Sequence, residues 1–495
     1  MAKITTIIDI GSNSMRMVVL EKSSRFAFNL INETRSRVKI SEGCYENFGN
    51  LQDAALQRAF NSLQSFLNIS KALKSRKIIC VATSALRDAP NAKVFINKVK
   101  NELGLNIKVI DGVKEAYYGG MAALNLIHGD EFVTVDIGGG STEFAFIKNR
   151  KIEKCISLNI GTVRLNELFF RKNDFDGARE YVLEKLKEVI SCGHEIPSTV
   201  VGIGGTIRAL SRVIMSKNNY PLDILHGYSY SVDLNKYIYD AILGAKDNDA
   251  LKYLGVKKDR YDTIKEGTFI FKTILDELQT KRVITSGAGV REGVYLSDLL
   301  RNNNNVFPAN FNISVKSLLD RFQIDEKQSA YLGRNAGAIF DVLQPIHNLP
   351  EKYRLLLVIA SKVHSIGNSL NFYKSNDNTF DFIISGLNYD FLHSSRVVVA
   401  HTIKFSKKSL PKRKDLKEYE QLLPDIEVMQ WLSFMISLNL LINQDLSCPK
   451  VEYTLKENKL KISLEQTIFM IENEIEKIET PKNLKVKICY EDCNS

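Results

Sequence analysis

The sequence predicts a two-lobed α/β fold over roughly the first 300 residues, followed by a helical domain and a small α+β module. The lobes are indicated by a repeated segment, in which a buried strand ends at Asp9 or Asp136 and a glycine-bearing turn and a second apolar strand follow. A duplication at domain-sized spacing indicates two similar halves facing each other across a cleft. After the polar run 301–305 the glycine-rich strand ends give way to helical periodicity.

The composition is that of an ordinary globular protein. The 495 residues are 44% hydrophobic and 25% charged, and a chain of this length holds about two to four domains. The net charge of +10 and the pI near 9.0 point only weakly to an anionic ligand, because the excess is spread along the chain. Polyphosphate, nucleic-acid and ribosomal partners all stay open on this ground.

The start of the chain leads directly into a strand without the layout of a signal peptide, and the seven cysteines include no Cys-x-x-Cys pair. We therefore expect a cytoplasmic protein with reduced thiols. The apolar segment 428–442 contains polar residues and is shorter than the ~20 residues that a membrane span needs. We expect it to be a buried helix.

The first hairpin runs through residues 7–20, with Asp9 at the strand end and Gly11, Ser12 and Asn13 in the turn. Helical spacing follows over 51–73, and a buried strand over 77–82 leads to a helix N-terminus. Free N–H groups at such an N-terminus attract anions, and Arg87 could reach the same anion. A surface arginine on a capped helix is the alternative.

Glu115 follows a strand over 106–110 and lies in the first turn of a helix that extends to about residue 127. A carboxylate in this position interacts favourably with the helix dipole, by ~0.3–1 kcal/mol. The functional interpretation is a general base that projects into the cleft.

The second hairpin covers residues 132–147 and contains three consecutive glycines between Asp136 and Glu143. Glycines let a backbone turn tightly and leave room for an anion against bare N–H groups. The two flanking carboxylates suit a divalent cation bridged to phosphate oxygens. The sequence has no Walker-type Gly-Lys-Ser/Thr, and an ordinary glycine-rich hairpin stays the alternative.

Further elements follow in the second half. A helical stretch runs to about residue 189, and a strand follows over 199–203. This strand ends at Gly204, Gly205 and Thr206, which form a possible second anion cradle. The next helix carries Arg208. We expect a helix over 261–278 after Arg260, a strand over 282–285 and a helix over 291–300.

Helices dominate the chain after Pro308, most clearly over 333–343, 352–369 and 391–405. The tail contains a predicted hairpin over 451–464 and a strand over 483–490. The predicted domains are lobe I, lobe II, a helical domain and an end module: 1–124, 125–304, 308–442 and 443–495.

Seven motifs together resemble the exopolyphosphatase / guanosine pentaphosphate phosphohydrolase family, in its long form. That family is a branch of the actin-like fold shared by actin, sugar kinases and Hsp70. The resemblance is dense over about residues 4–300 and thinner beyond. The motifs are Asp-x-Gly-Ser-Asn-Ser from residue 9, Ala-Thr-Ser-Ala-Leu-Arg-Asp-Ala from 82, Glu-Ala at 115, Val-Asp-Ile-Gly-Gly-Gly-Ser-Thr-Glu from 135, Gly-x-x-Arg-Leu from 161, Gly-x-Gly-Gly-Thr from 202 and Ser-Gly-x-Gly-x-Arg-Glu-Gly-Val from 286.

The resemblance implies Mg²⁺-dependent (or Mn²⁺-dependent) release of orthophosphate from inorganic polyphosphate, from pppGpp to give ppGpp, or from both. It implies Glu115 as the residue that activates water, and a homodimer without a membrane or specific nucleic-acid partner. Metal ligands would be Asp9, Asp136 and Glu143. Phosphate contacts would come from Gly11, Ser12, Asn13, Arg87, Gly138, Gly139, Gly140, Ser141, Thr142, Gly204, Gly205, Thr206 and Arg260.

The chain departs from the family pattern in two places. Lys114 precedes Glu115, and Tyr117 stands where arginine is common, so the nearby phosphate contacts are expected to differ. The helical domain resembles an HD-type domain, but the dipeptide is His364-Ser365 and lacks the carboxylate that a metal site of this type needs. We therefore expect a non-catalytic domain without metal, in which His347, His364, His393 and His401 are core or surface residues.

A basic cluster surrounds Pro411 in the helical domain: Lys404, Lys407, Lys408, Lys412, Arg413 and Lys414. We hypothesise that it guides a polyanion longer than the cleft, since phosphates bind by summed charge; a solvated basic face is the alternative. Two rival functions remain, an ATP-dependent kinase of the same fold and a non-catalytic alarmone sensor. Retention of Glu115, Asp136 and Glu143 argues against the sensor.

Overall fold

A computed structural model of the chain describes residues 3–44, 47–465 and 467–490, so Cys493 lies outside the described residues. The chain divides into two compact units, Met1–Ile313 and Ser314–Ser495. The first unit is mixed α/β, and the second is mainly helical with a small sheet. The finer division into four domains stays a prediction.

The first half of the α/β unit is built on a five-stranded sheet. Its strands are β1 (Lys3–Ile10), β2 (Met15–Lys22), β3 (Phe28–Ser36), β4 (Lys77–Ala82) and β5 (Ile107–Val109), and its helices are α1 (Asp53–Ala72), α2 (Ser84–Asp88), α3 (Ala92–Leu103) and α4 (Gly112–Leu126). The order is β3-β2-β1-β4-β5. β1, β2 and β3 are antiparallel, whereas β4 and β5 run parallel to β1. The β-branched residues of β1 suit this central position, where Ile7 and Ile8 are fully buried.

The second half repeats this plan around a six-stranded sheet. Its strands are β6 (Phe132–Ile137), β7 (Thr142–Lys148), β8 (Lys151–Leu158), β9 (Thr199–Ile203), β10 (Ser229–Ser231) and β11 (Arg282–Thr285), and its helices are α5 (Thr162–Leu168), α6 (Phe175–Ile190), α7 (Gly204–Lys217), α8 (Val232–Leu243), α9 (Asn248–Tyr253), α10 (Ile264–Glu277) and α11 (Val290–Leu299). The order is β10-β11-β9-β6-β7-β8.

The two sheets share one topology. In each, the leading hairpin strand (β1 or β6) lies between its antiparallel partner and a later parallel strand (β4 or β9). Asp9 and Asp136 are both the penultimate residue of that leading strand. The predicted duplication is therefore confirmed. The partners across the hairpins differ, because Asp9 lies opposite Arg16 and Asp136 lies opposite Glu143.

Helices α4 and α11 connect the two halves. α4 packs on β7 and β8, α11 packs on β1, and the helices pack against each other. Their crossing is close, because a Cβ atom at Gly293 would lie 1.8 Å from the carbonyl oxygen of Tyr118. A Cβ atom at Gly120 would likewise lie 2.7 Å from Cβ of Ala145. Glycine is required at both positions for this packing.

The second unit contains eight α-helices and one sheet within the described residues. The helices are α12 (Ile313–Arg321), α13 (Glu326–His347), α14 (Glu351–Val363), α15 (Ser375–Gly386), α16 (His393–Lys404), α17 (Arg413–Leu416), α18 (Ile426–Ile442) and α19 (Phe469–Ile475), and the strands are β12 (Val451–Lys456), β13 (Lys459–Leu464) and β14 (Lys485–Tyr490). The predicted helix over 352–369 ends at Val363, and a 3-10 turn follows over Ile366–Ser369.

Helix α18 is buried, as the sequence predicts, and it packs on α13, α14 and α16. Trp431, Leu432 and Leu438 are fully buried. The sheet, in the order β12-β13-β14, contributes Leu460 and Ile462 to the same hydrophobic core, so the helices and strands stabilise one another. Among the described residues, no helix combines the length and the apolar character needed to cross a membrane.

Candidate active site

The turns of the two leading hairpins meet at one cavity. A Cβ atom at Gly139 would lie only 2.8 Å from Cβ of Ser12, so the turns are in direct contact. The N–H of Gly138 donates to the carbonyl of Ser141 over 2.9 Å and closes the second turn. The cavity therefore lies between the duplicated halves, where the sequence predicts a site.

Most of the predicted site residues line this cavity. They are Asp9, Gly11, Ser12, Asn13, Glu115, Asp136, Gly138, Gly139, Ser141, Gly204, Gly205, Thr206 and Arg260. Four predicted residues do not line it: Arg87, Gly140, Thr142 and Glu143.

Three of these four belong to the second turn or to the start of β7 that follows it. The Thr142 hydroxyl donates to the carbonyl of Ile160 over 2.6 Å, and the carbonyl of Gly140 accepts from Nε of Arg164 over 2.9 Å. Glu143 is buried, and its Oε1 accepts from the Ser157 hydroxyl over 2.9 Å. These contacts support the shape of the turn, and none of the three residues lines the cavity.

Glu115 is positioned by its helix and by Arg87. It lies in the first turn of α4, where the carboxylate of the N-cap residue Asp111 accepts from the N–H of Lys114 over 2.6 Å. Nη1 of Arg87 donates to Oε2 of Glu115 over 3.2 Å, while Nε of Arg87 donates to Oδ1 of Asp88 over 3.1 Å. The Arg87 guanidinium is thus held between two carboxylates.

Burial raises the pKa values of the buried carboxyl groups of Asp9, Asp136, Glu115 and Glu143. It raises the pKa of Asp9 to about 6 and that of Glu143 to about 8, and it also raises the pKa of Asp136. The pKa of Glu115 lies well above its ordinary value, first because of burial and then because of the negative charge of Glu143. Burial therefore destabilises the ionised forms of these carboxyl groups, although several arginines lie nearby.

Asp9 and Asp136 could take part in holding a divalent cation. In the described part of the chain, Oδ1 of Asp9 is buried without a hydrogen-bond partner, which is the state expected of a carboxylate that awaits a ligand. No three His, Cys, Asp or Glu side chains among the described residues are grouped to hold a metal ion by themselves. Mg²⁺ commonly uses one or two carboxylates and completes its shell with water and phosphate oxygens, and the site fits that pattern.

The cavity is also lined by three arginines that were not predicted from the sequence: Arg16, Arg208 and Arg291. Nη1 of Arg208 donates to the carbonyl of Gly287 over 2.8 Å, and Nη1 of Arg291 pairs with Oε1 of Glu33 over 2.8 Å. Signals in the sequence could have indicated two of them, the helix N-terminus that carries Arg208 and the glycine motif that contains Arg291.

The arginines are crowded. Burial and the charges of neighbouring arginines lower the pKa of Arg16 to about 9. The pKa of Arg260 falls to about 10, mainly through burial and then the charge of Arg35. Cations that destabilise one another in a cavity are stabilised by a multivalent anion, so the arrangement favours a ligand such as a phosphate chain.

Two glycines at the start of α7 allow close approach of charged groups. Gly204 has φ +90°, and a Cβ atom there would lie 2.6 Å from Oδ1 of Asp136. A Cβ atom at Gly205 would lie 2.5 Å from Nη1 of Arg260. The free N–H groups of this helix start lie beside the same cavity, so they add backbone donors for an anion.

The two residues that depart from the family pattern lie near Glu115 without lining the cavity. Nζ of Lys114 lies 4.4 Å from the ring centroid of Tyr117. The Tyr117 hydroxyl accepts from Nδ2 of Asn305 over 3.1 Å. Tyr117 therefore packs towards the end of the α/β unit, and the arginines described above provide the positive charge of the cavity.

In the helical unit, the histidines contact backbone carbonyls. Nε2 of His347 bonds to Phe340, Nδ1 of His364 to Ser361, and Nδ1 of His401 to Val397; His393 is also buried. The likeness of this unit to an HD-type domain stays a prediction.

The basic cluster is exposed at Lys407, Lys408, Lys412, Arg413 and Lys414. Nζ of Lys404 lies 4.5 Å from the ring centroid of Phe380, and Lys408 pairs with Glu474. Its use as a track for a polyanion stays a hypothesis.

Comparison with known families gives one match over more than half of the chain. The model of the Ppx/GppA phosphatase family matches residues 18–302. These residues run from within β2 to beyond α11, and they include most residues of the cavity but not those from Asp9 to Arg16.

Curated relatives include two kinds of protein. A bifunctional 3-dehydroquinate synthase/phosphatase from Fusobacterium nucleatum is 33% identical over 297 residues, which cover 56% of this chain and 44% of that protein. The chain thus matches less than half of that relative's length. A guanosine-5'-triphosphate,3'-diphosphate pyrophosphatase from Pseudoalteromonas translucida is 27% identical over 481 residues, which cover 93% of this chain and 91% of that protein.

Solved structures resemble the α/β part. The crystal structure of the Ppx/GppA family member of Aquifex aeolicus has a TM-score of 0.51 and 29% identity, covering 61% of this chain and 99% of that one. An exopolyphosphatase from Cytophaga hutchinsonii has a TM-score of 0.54 and 23% identity, covering 60% of this chain and 98% of that one, which shows the shared fold.

Proposed function

The chain belongs to the Ppx/GppA phosphatase family, and from that membership we propose that it is a phosphoanhydride hydrolase with the two-lobed actin-like fold of its relatives. Its proposed substrates are inorganic polyphosphate and pppGpp, from which it releases the terminal phosphoryl group as orthophosphate. One observation carries the proposal: Glu115 lines the same cavity as Asp9, Asp136 and both glycine turns.

The cavity residues would first neutralise the substrate. A phosphoanhydride resists hydrolysis because its negative oxygens repel a nucleophile, so stabilisation of charge is the main contribution of the protein. The turn containing Ser12, the turn containing Gly139 and the start of α7 offer backbone N–H donors. The four cavity arginines, Arg16, Arg208, Arg260 and Arg291, offset the remaining charge.

Glu115 would then activate the attacking water. Its carboxylate accepts the water proton while the water oxygen bonds to the terminal phosphorus, and the bond from that phosphorus to the bridging oxygen breaks. The shortened phosphate chain leaves with the electrons of that bond. A positioned general base contributes roughly 10²–10⁴-fold to such a step. Arg87 keeps the carboxylate in place through the 3.2 Å hydrogen bond.

Asp9 and Asp136 would hold Mg²⁺ or Mn²⁺, with Glu143 behind them. A bound divalent ion lowers the negative charge of phosphate oxygens and orients them. The raised pKa values of these carboxyl groups fit that role, since a cation at the site would stabilise their ionised forms.

Side-by-side phosphate release from long-chain polyphosphate and from pppGpp, with Mg²⁺, tests the proposal. We expect the wild-type protein to release phosphate from at least one of them and Glu115→Gln to lose that activity. Transfer of phosphate from ATP to an added acceptor, without activity on polyphosphate alone, would instead identify a kinase. If the wild-type protein binds both polyanions but hydrolyses neither, it is a sensor.

The remaining parts of the proposal concern the whole chain. We propose a cytoplasmic homodimer joined through the helical unit, with the basic cluster in contact with polyphosphate chains longer than the cleft. Its net charge of +10 supports a polyanionic substrate.

A further inference from the structure

A second cavity of about 230 Å³ lies at the other end of the elements that build the active site. We call it the rear cavity; its charged lining residues are Lys3, Lys22, Arg25, Asp298 and Arg301. A water molecule occupies ~30 Å³ of liquid, so the rear cavity has room for a ligand of several heavy atoms.

Three elements run from the active site to the rear cavity. In β1, Asp9 lines the active site and Lys3 lines the rear cavity. In β2, Arg16 lines the active site and Lys22 lines the rear cavity. At ~3.3 Å per residue, the six residue steps from Lys3 to Asp9 span about 20 Å. Helix α11 likewise begins at the active site and reaches the rear cavity with its later turns. The two cavities are therefore separate.

The rear cavity holds positive charge that the described residues do not offset. Lys3 and Lys22 lie directly opposite each other in the antiparallel pair β1–β2, and like charges in that position destabilise a sheet. Cζ of Arg25 lies 5.0 Å from the ring centroid of Phe26. None of these three cations pairs with a carboxylate of the described residues.

Among the described residues, one carboxylate lines the rear cavity, and it is already paired. Oδ1 of Asp298 lies 2.7 Å from Nζ of Lys77 and 3.3 Å from Nη1 of Arg301. It therefore cannot neutralise Lys3, Lys22 and Arg25, and an anionic ligand would do so.

Tyr295 supplies a second, independent observation. The residue lines the rear cavity and is 3% exposed, and its hydroxyl has no hydrogen-bond partner among the described residues. Burial and then the charge of Asp298 raise its pKa, so the hydroxyl keeps its proton and can only gain by donating it to an acceptor. A buried donor without an acceptor is costly, and a phosphate oxygen is a suitable acceptor.

We propose that the rear cavity binds a small phosphorylated anion, either inorganic phosphate or the phosphate group of a mononucleotide. Lys3, Lys22 and Arg25 contribute charge, and Tyr295 donates a hydrogen bond. The aromatic ring of Phe26, with Arg25 over it, gives a base a surface on which to stack. This site is distinct from the active site and does not depend on the proposed reaction.

Lysine footprinting of the full-length protein tests the proposal. The protein is treated with an amine-acylating reagent, with and without inorganic phosphate, GMP or guanosine, and the labelling rate of each lysine is read by mass spectrometry. We expect phosphate or GMP to slow labelling of Lys3 and Lys22 at least threefold, while the exposed Lys246 labels at an unchanged rate. Protection by phosphate alone identifies a phosphate site, and protection by GMP alone identifies a mononucleotide site.

Two variants separate a built site from general screening. Arg25→Gln removes an exposed charge, and Tyr295→Phe removes only the unpartnered hydroxyl, so both are expected to fold. In each variant, the ligand concentration that gives half-maximal protection of Lys22 is expected to rise fivefold or more. Tyr237→Phe, at an exposed tyrosine, should leave that concentration unchanged. The proposal fails if no phosphorylated ligand protects Lys3 and Lys22, if guanosine protects them equally, or if protection persists in both variants.

Discussion

The guanidinium of Arg87 donates a hydrogen bond to the carboxylate of Glu115 over 3.2 Å, and the two residues lie on different helices. We expect this contact to fix the direction of the carboxylate. Arg87→Gln should lower kcat for phosphate release roughly 10²-fold with little change in KM, because a misplaced base loses most of its catalytic effect. Arg87→Lys should recover part of kcat. A rise in KM with kcat unchanged would assign Arg87 to phosphate binding instead.

Glu115→Gln removes the proposed base while retaining shape and hydrogen-bonding capacity. We expect phosphate release to fall roughly 10²–10⁴-fold, with polyphosphate still bound, as measured by equilibrium binding beside single-turnover kinetics. Glu102→Gln, on the exposed surface of α3, is the matched control and should keep full activity. Full activity of both variants would remove Glu115 from the mechanism.

Gly204→Ala tests the close approach of α7 to Asp136. Both Gly204 and Gly255 have φ +90°, but only at Gly204 would a Cβ atom meet another group, Oδ1 of Asp136 at 2.6 Å. Alanine at either position should cost about 1–2 kcal/mol of stability for the backbone conformation. Phosphate release should fall at least tenfold in Gly204→Ala alone. Equal activities of the two variants, at matched folded fractions, would contradict the prediction.

The basic cluster of the helical unit is expected to matter for long chains only. We predict that charge reversal at Lys407, Lys408 and Lys412 raises KM for long-chain polyphosphate but not for short chains, and that added salt reduces the difference. Lys408 pairs with Glu474, so Lys407→Glu/Lys412→Glu is a second variant that keeps this ion pair. Equal effects on both chain lengths would refute a track.

His401 should make the helical unit sensitive to acid. Burial lowers the pKa of His401 to about 4 from an ordinary 6.5. Between these values the unfolded chain binds a proton that the folded chain does not, so stability is complete above pH 6.5 and falls as the pH decreases towards 4. The loss amounts to at most about 3 to 4 kcal/mol.

Trp431 reports on this transition, because it is the single tryptophan and is fully buried in the helical unit. Urea unfolding followed by its fluorescence at pH 7 and pH 5 measures the loss. His401→Gln should reduce the pH dependence by the share due to His401, leaving that of His347 and His364, whose pKa values burial also lowers. An unchanged pH dependence in the variant would show that other groups account for it.

The sequence predicted the backbone of the site better than its side chains. The hairpins around Asp9 and Asp136 are visible because strand periodicity and turn glycines are local properties of the chain. Arg16 and Arg291 were not assigned to the cavity, because their positions depend on which strand and which helix pack together. Thr142 was expected to bind phosphate, but its hydroxyl donates a hydrogen bond to the carbonyl of Ile160, a partner that no local pattern specifies.

Element boundaries show the same limit. The apolar spacing after residue 352 continues past Val363, yet α14 ends there and a 3-10 turn follows over Ile366–Ser369. Gly367 lets this turn pack closely on the next helix, since a Cβ atom there would lie 2.2 Å from the carbonyl of Ser375. β3 and β10 were not predicted, since β3 contains many polar residues and β10 has only three residues. Tertiary packing, which a single sequence does not show, decides such cases.

The hairpins of the duplicated fold carry opposite charges at equivalent places, with Arg16 across from Asp9 and Glu143 across from Asp136. A linear phosphate polymer has two identical termini and no polarity of its own. The two ends of such a polymer are therefore equivalent to a cavity with unequal halves, and either terminus would enter it in the same orientation.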